Sequence, residues 1–313
     1  MSAGASAAGA DSLPNRVGVL GGGRMGAGIA HAFLMAGAPV AVVERDARSA
    51  AAARDRVLAA VEGSVRRGAA APEPDRLVTT VDWDALRGCG LVVEAVPEVP
   101  ELKREALQRA EELLEPLAVL ASNTSSLSID GLASGLQRPG AFLGMHFFNP
   151  VPASALVEVV AGTATAPSAV ELAAGWVAAL GKTPVVVRDS PGFASSRLGV
   201  LLGLEAVRMV EEGVASPEDI DAAMTLGYKH PVGPLRLTDI VGLDVRLDIA
   251  EYLAGELGPR FEPPELLRRM VANGLLGRKS GRGFYDWSDD AAEGTGSTGS
   301  ADGGVSLGPE RPR

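Results

Sequence analysis

The stretch Val17-Gly-Val-Leu-Gly21-Gly-Gly23-Arg-Met-Gly26-Ala-Gly28 leaves this chain few folds to choose from. Val17 to Leu20 reads as a short buried strand and Ile29 to Met35 as the body of an amphipathic helix, with Gly21-x-Gly23-x-x-Gly26 as the turn between them. Gly21 permits the tight turn, Gly23 lets the backbone approach a pyrophosphate, and Gly26 lets the helix pack close to the strand. The free amides and positive end of the helix, with Arg24 and Met25 at its start, then face the phosphates. A second strand, Val40 to Val43, is closed by Glu44, about 23 residues past the first glycine and near the ~20 expected of an acid that grips the adenosine ribose hydroxyls. The pattern predicts a dinucleotide site. Glu44 would repel the extra phosphate of NADP and so favours NAD, while Arg45 beside it leaves NADP open.

Further along, apolar runs alternate with helical periodicity. Strands are expected at Leu77–Val81, Leu91–Val96, Ala118–Ala121, Phe142–His146, Leu156–Val160 and Thr183–Val187. Helices are expected at Arg48–Arg67, Pro100–Leu114 and Pro167–Leu180. That rhythm implies parallel βαβ units and an α/β fold with a doubly wound Rossmann-type parallel sheet. Ligands of such sheets bind beyond the carboxyl ends of the strands, where Glu98 and the loop Ser122-Asn-Thr-Ser-Ser126 fall.

At Asp189-Ser-Pro-Gly192 the character changes, and a smaller all-α domain is expected from helices at Phe193–Glu212, Ser216–Leu226, Leu235–Leu257 and Pro263–Gly274. The boundary is placed near Ser190, giving a nucleotide-binding domain over 16–190 and a helical domain over 191–287, with disordered ends at 1–15 and 288–313. The helix from Phe193 is apolar nearly all round and is expected to be buried, with Gly199 and Gly203 admitting a neighbouring helix. Such a helical domain is a natural place for homodimer contacts.

A net charge of -10 and a pI near 4.9 argue against a nucleic-acid-binding face. Any anionic ligand must be held by a local basic cluster or by helix ends. Arg54, Arg56, Arg66 and Arg67 on the second helix offer such a cluster, although any one of them alone is better read as a solvated charge. The single cysteine, Cys89, rules out an intramolecular disulfide or a cysteine-based metal site, and no metal is expected. It lies between two glycines with nothing to activate it, so an inert thiol is expected. The N-terminus has the composition of neither a secretory nor a mitochondrial signal, and no apolar run approaches the ~20 residues of a membrane span. A cytoplasmic protein is expected.

His146 and Glu158 form the candidate catalytic pair: an imidazole suited to removing a hydroxyl proton near neutral pH, and a carboxylate to orient it. Of the other histidines, His31 reads as packing on the first helix and His230 as a loop contact. Taken alone, a histidine after an apolar run is more often structural. The neighbouring residues change that balance. Gly144-Met-His-Phe-Phe-Asn149-Pro150 followed by Leu156-Val-Glu158-Val-Val closely resembles the signature of the 3-hydroxyacyl-CoA dehydrogenases. So do Gly23-Arg-Met-Gly-Ala-Gly28, Val93-Glu-Ala-Val-Pro-Glu98, Ser122-Asn-Thr-Ser125-Ser126, Asp189-Ser-Pro-Gly-Phe193 and Gly277-Arg-Lys-Ser-Gly-Arg-Gly-Phe-Tyr285. The resemblance runs from about Arg16 to Trp287 and is nearest to the single-function 3-hydroxybutyryl-CoA dehydrogenase branch.

The resemblance implies NAD-dependent, reversible oxidation of a 3-hydroxyacyl-CoA to the 3-ketoacyl-CoA. It makes His146 the general base, Glu158 its partner, and Ser125 the hydroxyl that binds the substrate C3 oxygen near the nicotinamide. Asn149 and Glu98 become nicotinamide-end contacts, Lys103 a ribose contact and Glu44 the adenosine-ribose acid, while Ser64 and Arg67 fall near coenzyme A contacts. The chain departs from the family in one place. An Asn that helps hold the substrate is replaced by Ser196, just before Arg197-Leu198, which bears on acyl specificity and rate. Two rival readings are a β-hydroxyacid dehydrogenase acting on a non-CoA substrate and a non-catalytic NAD-binding protein. The first would use a lysine at the start of the helical domain, and Lys103, Lys182, Lys229 and Lys279 all lie elsewhere.

Overall fold

The computed structural model describes residues 13–288, which divide into two compact units at Arg197/Leu198. In the first unit an eight-stranded sheet runs in the order β3-β2-β1-β4-β5-β6-β7-β8. Its strands are β1 (Val17–Leu20), β2 (Val40–Val43), β3 (Leu77–Thr80), β4 (Leu91–Glu94), β5 (Val119–Ser122), β6 (Phe142–Phe147), β7 (Leu156–Ala161) and β8 (Thr183–Arg188). Strands β1, β2, β4 and β5 are buried at every residue, as parallel strands covered on both faces must be. Helices α1 (Arg24–Met35), α2 (Ala47–Arg66), α3 (Pro100–Glu111), α4 (Ile129–Ala133) and α5 (Pro167–Ala179) supply that cover.

The sheet is the expected doubly wound parallel one, with a single antiparallel pair. β7 runs antiparallel to β6, and β8 then pairs parallel with β7. Residues 148–155 alone join β6 to β7, whereas a parallel return needs a crossover of roughly a dozen residues or more. Side chains along β6 alternate between two cores: Leu143, Met145 and Phe147 join α1 and α5 on one face, and Phe142 joins Ile129, Val160 and Phe193 on the other. His146 therefore points to the face that carries Phe193. The expected lead-in also shortens, because Pro14 is buried and the Asn15 amide donates to the Gly88 carbonyl at 3.0 Å. Residues 1–12 and 289–313, where disorder was expected, lie outside the described residues.

The second unit is helical: α6 (Ser195–Glu211, which begins in the first unit), α7 (Pro217–Ala222), α8 (Pro234–Val241), α9 (Leu243–Leu257) and α10 (Glu265–Ala272). The helix expected over Leu235–Leu257 is two, broken at Gly242, whose φ of 109° only glycine adopts without strain. The helix expected over Ser216–Leu226 ends at Ala222 and continues as a wider turn over Ala223–Gly227. α6 is not buried all round. Val200, Leu204 and Val207 face the core, but Leu198 is 67% exposed and Leu201 and Leu202 are exposed beside it. Gly203 does admit a neighbour, since a Cβ there would lie 3.2 Å from Thr238 Oγ1 on α8.

Candidate active site

At the carboxyl end of β1 the glycine turn has the geometry its sequence demands. Gly21 has φ 87°, and a Cβ on Gly26 would lie 1.8 Å from the Gly21 carbonyl oxygen, so strand and helix meet where no side chain fits. A Cβ on Gly23 would meet nothing within 4 Å, which leaves the approach to the start of α1 open. Among the described residues no side chain caps α1, and no acid stands in its first turn, so its leading amides remain available to an anion. The turn opens into a cleft of about 1170 Å³ lined by Gly21, Gly23, Arg24, Met25 and Glu44. Glu44 Oε1 accepts from the Gly22 amide at 2.7 Å and Oε2 from the Arg45 amide at 3.2 Å, which fixes the carboxylate at the lip of the turn. An uncapped helix start, an open glycine and a fixed acid fit a dinucleotide.

Two strands along, a buried ionic network shapes the next loop. Lys103 is 1% exposed, with its Nζ 2.7 Å from Glu94 Oε1, 3.2 Å from the Val96 carbonyl and 3.2 Å from Glu98 Oε2. Its ammonium is enclosed by two carboxylates and a carbonyl, and what it does is hold Glu98. Glu98 Oε1 accepts from Thr124 Oγ1 at 2.5 Å, the Ser125 amide at 3.0 Å and Ser126 Oγ at 3.3 Å. Burial alone would raise the Glu98 carboxyl, but the charge of Lys103 and the bond from Thr124 hold it below the usual range. The loop bearing Ser125 thus hangs on one ionised carboxylate.

The antiparallel register sets His146 of β6 directly opposite Glu158 of β7. Nδ1 of His146 lies 2.8 Å from Glu158 Oε2, and because an ionised carboxylate can only accept, the Nδ1–H donates and Nε2 keeps its lone pair. His146 is 7% exposed, and its ring packs against Phe148 at 4.4 Å and Phe193 at 5.8 Å between centroids. Asn123, which sequence reasoning passed over, accepts from the Phe147 amide at 2.9 Å and so ties the Ser125 loop to the strand that carries His146. Asn149 stands exposed just beyond β6, before a cis bond to Pro150.

Ser195 was also missed. Its hydroxyl donates to Glu158 Oε2 at 2.6 Å, while the Ala194 and Ser195 amides donate to Oε1 at 3.0 and 2.8 Å. Ser196, expected at the substrate, is half-buried in the same first turn of α6, and it is Ser195 that meets the dyad. Burial would raise the Glu158 carboxyl, but the bonds from His146 and Ser195 hold it below its ordinary value. The basic cluster of α2 divides. Arg54 donates to the Leu77 carbonyl and Arg56 to the Gly22 carbonyl beside the dinucleotide turn, leaving Arg67 at the far end, 3.3 Å from Ser64 Oγ. Ser64 is buried and bonded to His31 Nε2 at 2.9 Å. Cys89 is buried, and burial pushes its thiol up to about 11.

An open sheet with a dinucleotide cleft at its switch point and a His–Glu pair set across its antiparallel strands β6 and β7 has the parts of a nicotinamide-dependent dehydrogenase. Residues 16–190 match the NAD-binding domain of 3-hydroxyacyl-CoA dehydrogenase and residues 192–287 match its C-terminal domain. The chain is 43% identical to the 3-hydroxybutyryl-CoA dehydrogenase of Mycobacterium tuberculosis, over 87% of this chain and 98% of that protein. It is 41% identical to a probable 3-hydroxybutyryl-CoA dehydrogenase of Deinococcus radiodurans, over 87% of this chain and 100% of that protein. Among solved structures, (S)-3-hydroxybutyryl-CoA dehydrogenase PaaH1 from Ralstonia eutropha superposes with a TM-score of 0.83 at 38% identity, covering 88% of this chain and 99% of that one. The chain belongs to the 3-hydroxyacyl-CoA dehydrogenase family, NAD-dependent oxidoreductases that act on a CH–OH group.

Proposed function

We propose that the protein interconverts L-3-hydroxyacyl-CoA and 3-ketoacyl-CoA, with a short acyl group such as 3-hydroxybutyryl as substrate, in a step of the fatty-acid β-oxidation type. The observation that carries the reading is the buried pair of His146 and Glu158, which leaves Nε2 as a free base on the Phe193 face. Bound NAD supplies the hydride acceptor. His146 Nε2 takes the hydroxyl proton as the C–H bond breaks, and Glu158 keeps the ring in the accepting tautomer and offsets the imidazolium charge. Ser125 holds the C3 oxygen, on a loop that Glu98 keeps in shape. Gly21, Gly23, Arg24, Met25, Gly26 and Glu44 receive the adenosine and pyrophosphate, and Asn149 and Glu98 the nicotinamide end. Ser196 adjoins the acyl group.

Coenzyme A is strongly anionic and the chain carries a net charge of -10, so a local cation must capture it. Arg67 at the end of α2, with Ser64 fixed by His31, is the group we assign to that task. The exposed leucines of α6, together with Leu237, Ile240 and Val241 of α8, support a homodimer through the helical unit. A single buried cysteine and a reaction drawing on NAD and coenzyme A pools favour the cytoplasm. Mixing the protein with NADH and acetoacetyl-CoA should lower the absorbance of NADH. Arg67→Glu should raise KM for CoA thioesters and spare thioesters that lack the nucleotide. No loss of NADH absorbance would overturn the activity, and equal loss with both thioesters would overturn the coenzyme A assignment.

A further inference from the structure

The Glu158 carboxylate is saturated by donors of two kinds. His146 and the Ser195 hydroxyl share Oε2, at 2.8 and 2.6 Å, while two amides at the entrance of α6 share Oε1. The entrance is aimed by Phe193, whose φ of 50° is a left-handed conformation that a bulky residue adopts only under constraint. That turn swings the Ala194 and Ser195 amides onto Glu158 and lays the Phe193 ring against His146. Amides alone would fix Oε1 and leave Oε2 free to rotate about that anchor. The Ser195 hydroxyl removes this freedom at the oxygen that holds the imidazole.

We propose that Ser195 is a positioning residue of the proton-abstracting pair, fixing Glu158 Oε2 so that His146 keeps its Nδ1–H bond and presents Nε2 to substrate. This rests on His146 and Glu158 being the pair that moves the proton. The hydroxyl also donates to the carboxylate and so stabilises its ionised form, which extends the range over which Glu158 can hold Nδ1–H toward acid. The groups that face Glu158 are few. β6 contributes His146, β8 contributes Val185, and the entrance of α6 contributes Ser195 with its uncharged amides. α4 places Ile129 on that face, and α5 covers the opposite face with Ala169, Ala173, Trp176 and Val177. Among these, His146, once protonated, is the one group whose charge acts on Glu158.

The test uses the whole chain with 3-hydroxybutyryl-CoA and NAD across acidic to neutral pH. Ser195→Ala should lower kcat about tenfold, as expected for loss of a hydrogen bond to a charged group, with KM for both substrates nearly unchanged. The acid limb of its kcat profile should move to higher pH by roughly one unit. Ser195→Thr should restore both, and its isostere Ser195→Val should behave as Ser195→Ala; this pair carries the comparison if the alanine variant does not fold. Because the chain has three histidines, ring-nitrogen NMR gives a readout that needs no turnover. The Nδ1–H tautomer of His146 should persist to lower pH in the parent and Ser195→Thr than in Ser195→Val. An unmoved tautomer boundary, or Thr and Val variants that agree, overturns the proposal. A moved boundary in protein whose turnover does not depend on His146 instead overturns the reading of the pair while upholding the role of Ser195.

Discussion

The family resemblance makes Lys103 a ribose contact, and in the structure the same side chain holds Glu98. Its ammonium is buried between Glu94, which is fully buried, and Glu98. Removing one partner of a buried ion pair leaves an uncompensated charge, so Lys103→Met should destabilise the fold by about 3–5 kcal/mol in a urea melt. A direct ribose contact would give the opposite pattern, with weaker NADH binding and an unchanged melt. Ser195 and Asn123 could not be found by residue type, since serine and asparagine are ordinary in loops and at helix starts. What distinguishes Ser195 from Ser196 is the left-handed turn at Phe193, and phenylalanine carries no propensity for that conformation.

Elements were more legible than residues. Each of the eight strands stands where an apolar run predicted one; the central strands, covered on both faces, must be apolar throughout, and the edge strands β3 and β8 keep enough apolar residues to be read. The direction of β7 was not read from its own residues, since alternation is the same in both senses. The information lay in the short connection over 148–155, and that reversal is what sets His146 opposite Glu158. The break at Gly242 was hidden because apolar periodicity resumes directly after it. The tight crossing of α1 over β1 gives a prediction at this scale. Gly26→Ala would drive a Cβ into the Gly21 carbonyl, and should abolish NADH binding measured by fluorescence and lower the melting temperature. Gly63→Ala, within α2 where the nearest contact is an ordinary 3.5 Å, should instead leave binding intact and stabilise by roughly 0.5–1 kcal/mol.

The whole molecule should be acid-sensitive in two stages. Burial, together with Arg67 and Lys182, lowers the His31 imidazole from 6.5, so as pH falls below that value the unfolded chain binds a proton that the folded chain resists. Stability is therefore lost from about pH 6.5 downward in the first stage, and His31→Gln should flatten that limb in thermal melts. Glu158 and Glu98, both held below 4.5, contribute stability that is complete above 4.5 and is lost as pH falls further. The proposed homodimer is open to the same kind of test: Leu198→Asp on the exposed face of α6 should make the protein sediment as a monomer where the parent sediments as a dimer, and a parent that itself sediments as a monomer would overturn the proposal. The proposed reaction rests on proton abstraction by His146, which single-turnover hydride transfer and NADH binding by His146→Gln and the parent put to the test. It predicts a loss of roughly 10²–10⁴-fold in the transfer rate with NADH affinity nearly unchanged. Transfer at close to the parental rate in a variant that binds NADH normally would contradict it.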